Sequence, residues 1–231
     1  MHIFCSRCYN VNVITVYEIV HQLLKEDDIA LEAARLGILN LSSYAKLIKA
    51  DVEEKTLKEV RLGTIVVALS RCIPRVIAQV PPLIPSLYVQ DISIRAPLFE
   101  ISFEKTTAVL KKVSTLSHIW LNQGFFTLTE GLGEVTIISD AVLRSEIKAH
   151  FNTRPKGEYT DLVGITVRFD EQEYLEIPNA IFSLINALSV KRVNVIEVVS
   201  TYTEISFIVR SKEMDVAIEA LKPFFTKTIY H

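Results

Sequence analysis

Cysteine, glycine and excess charge are all scarce in this chain of 231 residues. It holds three cysteines and seven glycines, and its 25 basic and 27 acidic residues leave a formal net charge of -2. A small, odd number of cysteines cannot build a disulfide framework and favours a reducing compartment. Without a net basic charge, the chain has no overall attraction to nucleic acid or to an acidic membrane surface.

Signal-like and membrane-like apolar runs are also missing. The first residues, MHIFCSRCYN, have neither a basic leader nor an apolar core long enough for a signal peptide. The most apolar region, 64–89, carries Arg71, Arg75 and four prolines, which argue against a membrane span. The sequence therefore predicts a soluble, cytoplasmic protein with no membrane partner.

The residues that carry most enzyme chemistry are scattered along the chain. The five histidines, at positions 2, 21, 118, 150 and 231, form no Ser-His-Asp, Cys-His or metal-ligand spacing. Cys5 and Cys8 have the spacing of half a zinc knuckle, but such a site needs about four ligands, and only His2 and His21 lie near. We therefore predict no catalytic residue, no metal site and no cofactor, and interpret the two thiols as unremarkable.

A helical pattern fills residues 13–78. Apolar residues recur at helical spacing in the first segment, at Val16, Ile19, Val20, Leu23 and Leu24. Further helices are expected to start at Asp27-Asp28, at Asn40 (or Ser42 or Ser43) and at Asp51, and residues 63–73 form a buried helix or strand. Short helices with tight connections are typical of a helix-turn-helix-like bundle, which we assign to residues 1–78.

Prolines end this pattern and an alternating one follows. QVPPLIPS (79–86) cannot lie inside a helix or a central strand, so residues 79–90 are predicted as a linker. Residues 91–104 are then extended, 106–117 helical, 125–140 a hairpin, and 141–151 a helix with Asp140 as its cap.

The same order of elements repeats from residue 161. A strand (161–169) precedes a helix (177–191) with Ile181, Leu184, Ile185 and Leu188 inward, then a hairpin (193–211) and a second helix (212–225). The short segment 226–231 is left as a fourth strand. The fold class is therefore α+β: an N-terminal helical (helix-turn-helix-like) domain followed by two ferredoxin-like βαββαβ units, 91–151 and 161–231.

The second repeat carries a recognisable pattern. Its helix begins Ile177-Pro178-Asn179-Ala180-Ile181, its second strand begins Val193-Asn194-Val195-Ile196, and its hairpin reads STYTEISFIV. Over about 161–225 this resembles an ACT domain, the small-molecule sensing module of amino-acid metabolism, as found at the C-terminus of aspartate kinases. Over 91–151 the likeness rests on element order alone. The whole chain looks like the small predicted ACT-containing regulators, and nothing in it resembles a kinase phosphate loop.

The resemblance implies a ligand site between the first strand–helix loop of one unit and the second strand of its partner. Backbone N–H groups at a helix N-terminus would hold a ligand carboxylate. The implied ligand-binding residues are Glu176, Ile177, Pro178, Asn179, Ala180, Asn194, Ile196, Ser200 and Thr201. Asn179 stands where the family has glycine, so its side chain either blocks the pocket or donates to the ligand. The hydroxyls and Asn194 equally fit local turn bonding without a ligand.

These features predict a non-catalytic regulatory protein that binds an amino acid and forms a homodimer through its ACT sheets, since exposed sheet edges favour pairing. One alternative is an amino-acid-responsive transcription regulator whose helices bind DNA. Against it, the segment ADVEEKTLKEV is as acidic as it is basic. The other is a scaffold for ACT-mediated dimerisation or for docking a partner enzyme, without a ligand.

Overall fold

The computed structural model describes residues 14–116, 124–170 and 176–225. The chain divides into two compact units, one reaching to Pro85 and one beginning at Ser86. Cys5, Cys8 and the fourth strand predicted over 226–231 lie outside the described residues.

From residue 14 onward, four helices build the first unit: α1 (Val16–Glu26), α2 (Asp28–Arg35), α3 (Leu41–Thr56) and α4 (Leu62–Gln79). α1 begins with a capping box, in which the Thr15 hydroxyl accepts from the Glu18 N–H and the Glu18 carboxylate accepts from the Thr15 N–H. The bond from the Thr15 N–H, followed by one from the Thr15 hydroxyl to the same carboxylate, lowers the pKa of Glu18. The caps predicted for the next two helices are confirmed, because the Asp27 and Asn40 side chains accept from Ala30 and Ser43.

Asp51 does not begin a helix, contrary to the sequence prediction. α3 runs unbroken from Leu41 to Thr56 and includes it, because no glycine or proline interrupts the segment. The helix ends at Leu57, whose φ of 55° is left-handed. Glu53 then secures the following turn, since its carboxylate pairs with Lys49 at 2.6 Å and accepts from the Val60 N–H at 2.8 Å.

Residues 63–73, for which the sequence predicted either a helix or a strand, belong to the helix α4. It is one continuous helix despite Pro74. Among the described residues it is the one helix long and apolar enough to cross a membrane by length and composition. One face packs against the other three helices, through Ile65, Ala68, Leu69, Cys72 and Val76. Arg35 of α2 donates to the carbonyl oxygens of Ile77 and Val80 and so fixes its last turn.

In the part of the chain that the structure describes, the second unit is a six-stranded antiparallel sheet with four α-helices. Its strands are β1 (Asp91–Glu104), β2 (Phe126–Glu130), β3 (Glu134–Asp140), β4 (Gly157–Arg168), β5 (Glu197–Ser200) and β6 (Glu204–Arg210), in the order β2-β3-β1-β4-β6-β5. Its helices are α5 (Thr107–Val113), α6 (Arg144–Phe151), α7 (Ala180–Val190) and α8 (Met214–Leu221). The predicted mixture of helices and an antiparallel sheet is confirmed.

The two repeats share this sheet. β1 and β4 pair twice, residues 98–102 with 157–162 and residues 91–95 with 164–168. The first half of β4 therefore extends the first repeat's β2-β3-β1, and the first half of β1 extends the second repeat's β5-β6-β4. The sequence predicts 226–231 as the second repeat's fourth strand, but the place beside β4 belongs to β1.

The register separates two faces of the sheet. Leu98 pairs with Asp140 and Leu162, and Leu162 with Arg210, so these four share one face, here called the second face. The residues that alternate with them, such as Phe99, Ile101, Val163 and Ile165, form cores with helices from both repeats. All four helices thus lie on the opposite face, while Leu98, Ile138, Leu162 and Ile208 cluster on the second face.

α7 is turned differently from its predicted orientation. Leu184 and Leu188 are fully buried as expected, but Ile181 is 44% exposed and Ile185 is 38% exposed. The buried face instead includes Ala180 and Ser183. α7 is apolar around most of its circumference, so its pattern cannot tell which side meets the sheet.

Gly164, in the middle of β4, fits beneath a buried leucine. A Cβ at this position would lie 2.9 Å from Cδ1 of Leu98. Gly164→Ala is therefore expected to lower the free energy of unfolding by about 1–3 kcal/mol, through overpacking, in a denaturant titration. Gly157→Ala on the same strand meets nothing within 4 Å and is the matched control. If Gly164→Ala lowers the free energy of unfolding by the same amount in a Leu98→Val background, overlap with the Leu98 side chain is not the cause.

Candidate functional site

The first group of predicted site residues surrounds the start of α7. Asn179 has a φ of 65°, so the turn keeps the left-handed geometry without glycine. Its carbonyl oxygen accepts from the Ser183 N–H at 2.9 Å and the Ser183 hydroxyl at 3.0 Å. Glu176, Ile177 and Pro178 precede it, and Ala180 is buried as the first helical residue.

The second group lies at two other places. Asn194 and Ile196 follow the far end of α7, where their backbone N–H groups donate to Glu213 at 3.2 Å and to the Ile208 carbonyl at 2.8 Å. A helix of 11 residues spans about 16 Å, so Asn194 and Asn179 stay apart within one chain. Ser200 ends β5, and the Thr201 N–H donates to the Glu204 carbonyl at 2.9 Å to close the hairpin.

A cavity of about 620 Å³ lies in the first repeat, away from all of these residues. Its charged groups are Arg95 and Asp140, which form a bidentate pair: Nε donates to Oδ1 and Nη2 to Oδ2, each at 3.0 Å. The Phe125 N–H also donates to Oδ2, at 3.1 Å. The bond and the charge of Asp140 raise the pKa of Arg95.

The local backbone shapes this cavity. A register shift between Arg95 and Leu98 interrupts the pairing of β1 with β4 next to the cavity, and such irregularities are frequent beside functional sites. Gly124 has a φ of 88°, and a Cβ there would overlap both the Arg95 guanidinium and the Asp140 carboxylate. Asp140 was predicted to cap a helix, but its side chain makes no cap bond and turns to Arg95 instead, because that ion pair satisfies both its oxygens.

The second repeat keeps the geometry but changes the chemistry. Leu98 pairs with Asp140 in the first repeat as Leu162 pairs with Arg210 in the second, so Asp140 corresponds to Arg210. Three residues before each leucine, Arg95 corresponds to Tyr159. Arg210 lies over the Tyr159 ring, 5.9 Å from its centroid, where the first repeat has its ion pair. Both repeats also carry an equivalent hydroxyl pair on the second face, Ser102–Thr136 at 2.8 Å and Thr166–Ser206 at 2.7 Å.

The Arg95–Asp140 cavity suits a ligand that carries both charges. A guanidinium binds a carboxylate in bidentate fashion, and a carboxylate accepts from an ammonium group. The Arg95 side chain is 53% exposed and Asp140 is 12% exposed, so the guanidinium can meet a ligand from solvent. A partly exposed ion pair stabilises the fold by at most about 1 kcal/mol. A zwitterionic ligand can therefore replace the contact between the two side chains at little cost in stability.

Metal chemistry has no comparable support in the described part of the chain. No group of three or more His, Cys, Asp or Glu residues there is arranged to hold a metal ion.

No family model matches the sequence, and no curated protein matches it. Solved structures similar to it include aspartate kinase from Clostridium acetobutylicum, at 14% identity and a TM-score of 0.49, covering 62% of this chain and 36% of that one. Aspartokinase III from E. coli in complex with aspartate and ADP has 8% identity and a TM-score of 0.47, covering 60% of this chain and 34% of that one. The ligand-free regulatory subunit of aspartate kinase from Thermus thermophilus has 12% identity and a TM-score of 0.46, covering 60% of this chain and 99% of that one. The chain thus spans about a third of the two kinases and nearly all of the regulatory subunit.

Proposed function

We propose that this chain is a non-catalytic regulatory protein that binds a small zwitterionic ligand, an amino acid, through its double-repeat sheet unit. The observation that carries the proposal is the Arg95–Asp140 pair, which lines a cavity of about 620 Å³. A cavity of this size lies within the range of small-molecule sites. Its two opposite charges match the two charges of an amino acid.

The loop at 176–180 is the second place in the same unit for such a ligand. It offers a helix N-terminus to a carboxylate, and the complementary groups near Asn194 would come from a partner chain. This form of the proposal needs a homodimer. The outer strands β2 and β5 each leave one edge unpaired within the described sheet, and such edges favour pairing with a second copy.

Two alternatives from the sequence stay open. An amino-acid-responsive transcription regulator would use the helical unit on DNA, although α3 mixes its charges, as in the Lys49–Glu53 pair. Retention on heparin that falls steeply with salt would favour this alternative. A scaffold that docks a partner enzyme without a ligand would show no response to any amino acid. The proposal goes with a cytoplasmic location.

The test is a thermal-shift screen of the full chain against the twenty amino acids. A ligand that binds only the native state adds RT ln(1 + [L]/Kd), which is about 2.7 kcal/mol at 100 times Kd. We expect at least one amino acid to raise the midpoint, and Arg95→Gln to abolish that rise. No shift with any amino acid would contradict the proposal and leave the scaffold alternative.

A matched arginine controls for the loss of charge. Arg168 pairs with Asp91 at 3.2 Å on the same sheet but does not line the cavity, so Arg168→Gln should leave the ligand response intact. Asn194→Ala distinguishes binding at the Arg95–Asp140 cavity from binding at the loop at 176–180. A response lost in Asn194→Ala and kept in Arg95→Gln would move the ligand to the loop at 176–180.

A further inference from the structure

The helical unit has a cavity of its own, of about 580 Å³, between α1, α2 and α3. Four carboxylates line it: Glu26, Asp27, Asp28 and Asp51. Among the described residues, none of the four forms an ion pair, whereas Glu32 and Glu53 on the same helices pair with Arg35 and Lys49. This cavity therefore concentrates uncompensated negative charge.

Tyr44 also lines this cavity and is only 6% exposed. Burial, followed by the charge of Asp27 and a side-chain hydrogen bond with it, raises the pKa of Tyr44. Tyr44 therefore places a large, mostly buried side chain next to the carboxylates in the cavity wall.

Large aliphatic residues flank the carboxylates. Ile29 of α2 is 82% exposed and Leu47 of α3 is 73% exposed, while Leu23 and Ile48 line the cavity between them. A small cation would neutralise the carboxylates and leave both exposed side chains in water. A longer amphipathic segment would cover them as well, as helices do in apolar grooves.

We propose that this acidic groove docks an amphipathic helix of a partner protein, which presents Lys or Arg beside large apolar residues. The charge complementarity and the exposed Ile29 and Leu47 select this occupant. The inference is independent of the ligand site in the sheet unit, because every residue it uses belongs to the helical unit.

The test measures fluorescence anisotropy of a labelled helical peptide of leucine and lysine at amphipathic spacing, titrated with the full chain. We expect saturable binding, about tenfold weaker in the double variant Asp28→Asn/Asp51→Asn, a loss of about 1.4 kcal/mol. Both side chains are exposed, so the fold should survive their neutralisation. Glu54→Gln/Glu59→Gln, also exposed on the same unit but outside the cavity, is the matched control and should bind as the parent does.

Other occupants would give different results. A peptide of the same composition without amphipathic spacing should bind at least tenfold more weakly, and equal binding would overturn the proposal. Complete displacement of the peptide by butylammonium at equal charge concentration would assign the cavity to a small cation instead. A dimer in sedimentation that Asp28→Asn/Asp51→Asn dissociates would assign it to a second copy of the chain.

Discussion

Glu100→Gln is expected to raise the free energy of unfolding above pH 7. Glu100 is only 7% exposed on the second face of the sheet, and its Oε2 has no hydrogen-bond partner among the described residues. Burial first, and then the charges of Glu197 and Glu134, raise its pKa from 4.5 to about 7. Glutamine keeps the shape and removes the charge that the site disfavours.

The sign of the pH dependence follows from where the proton is held. Between its ordinary pKa of 4.5 and about 7, Glu100 keeps its proton in the folded chain and loses it in the unfolded chain. The native state therefore binds more protons, and its stability falls as pH rises through this window. The full loss is on the order of 3 kcal/mol. Denaturant unfolding from about pH 5 to about pH 8 should show this fall in the parent and a flatter profile in Glu100→Gln.

Two further variants sharpen this experiment. Glu104→Gln alters an exposed glutamate of the same strand and should leave the profile of the parent unchanged. Glu197→Gln removes the charge that, after burial, raises the pKa of Glu100, and it also removes a carboxyl whose own pKa is raised by burial. It should therefore move the fall to lower pH and make it smaller. A parent whose stability does not fall over this range would refute a buried, proton-holding Glu100.

Leu98→Ala and Leu162→Ala should each be among the most destabilising single substitutions in the sheet unit. Both side chains are fully buried, and the two residues are register partners at the centre of the shared sheet. Truncation of a buried leucine costs about 2–5 kcal/mol through lost contacts and a residual cavity. Urea or guanidinium titrations of both single variants would measure the cost.

The double variant distinguishes a shared sheet from two independent units. Residues in contact are coupled, so the double substitution should cost less than the sum of the two single ones, by about 0.5 kcal/mol or more. Two units with separate sheets would give additive costs. If Leu98→Ala/Leu162→Ala does not fold, the same cycle with valine at both positions removes less volume and asks the same question.

The elements of this fold were predictable because their patterns are local. The strand pattern of 161–169 and the caps at Asp27 and Asn40 depend on neighbours in sequence, and the structure contains them. The pairing of β1 with β4 was not predictable, since nothing in either strand encodes which other strand will lie beside it. The prediction of how α7 is oriented was wrong for another reason: its apolar residues nearly encircle the helix, so the pattern does not mark one buried face.

The candidate site shows the same division. The left-handed turn at Asn179 could be expected from the tolerance of asparagine for positive φ. Arg95 and Asp140 are 45 residues apart and meet only through the register of β1 with β3. Asp140, at the end of a strand and before a helix, has the sequence setting of a cap. Aligning the two hairpins by position, which sets Asp140 against Arg210, was the one signal that could have singled it out.

Each repeat extends its part of the sheet with half a strand of the other repeat, so neither part can be completed until both β1 and β4 have been synthesised. The helical unit forms its contacts within residues up to 85, so it can fold while the rest of the chain is still being made. The first repeat cannot complete its sheet at that stage, because β1 has no neighbour on one side until β4 has left the ribosome. Such contacts of high sequence separation fold slowly. Cotranslational folding therefore leaves an open strand edge on the nascent chain, which is the moment of greatest exposure to aggregation and to chaperones.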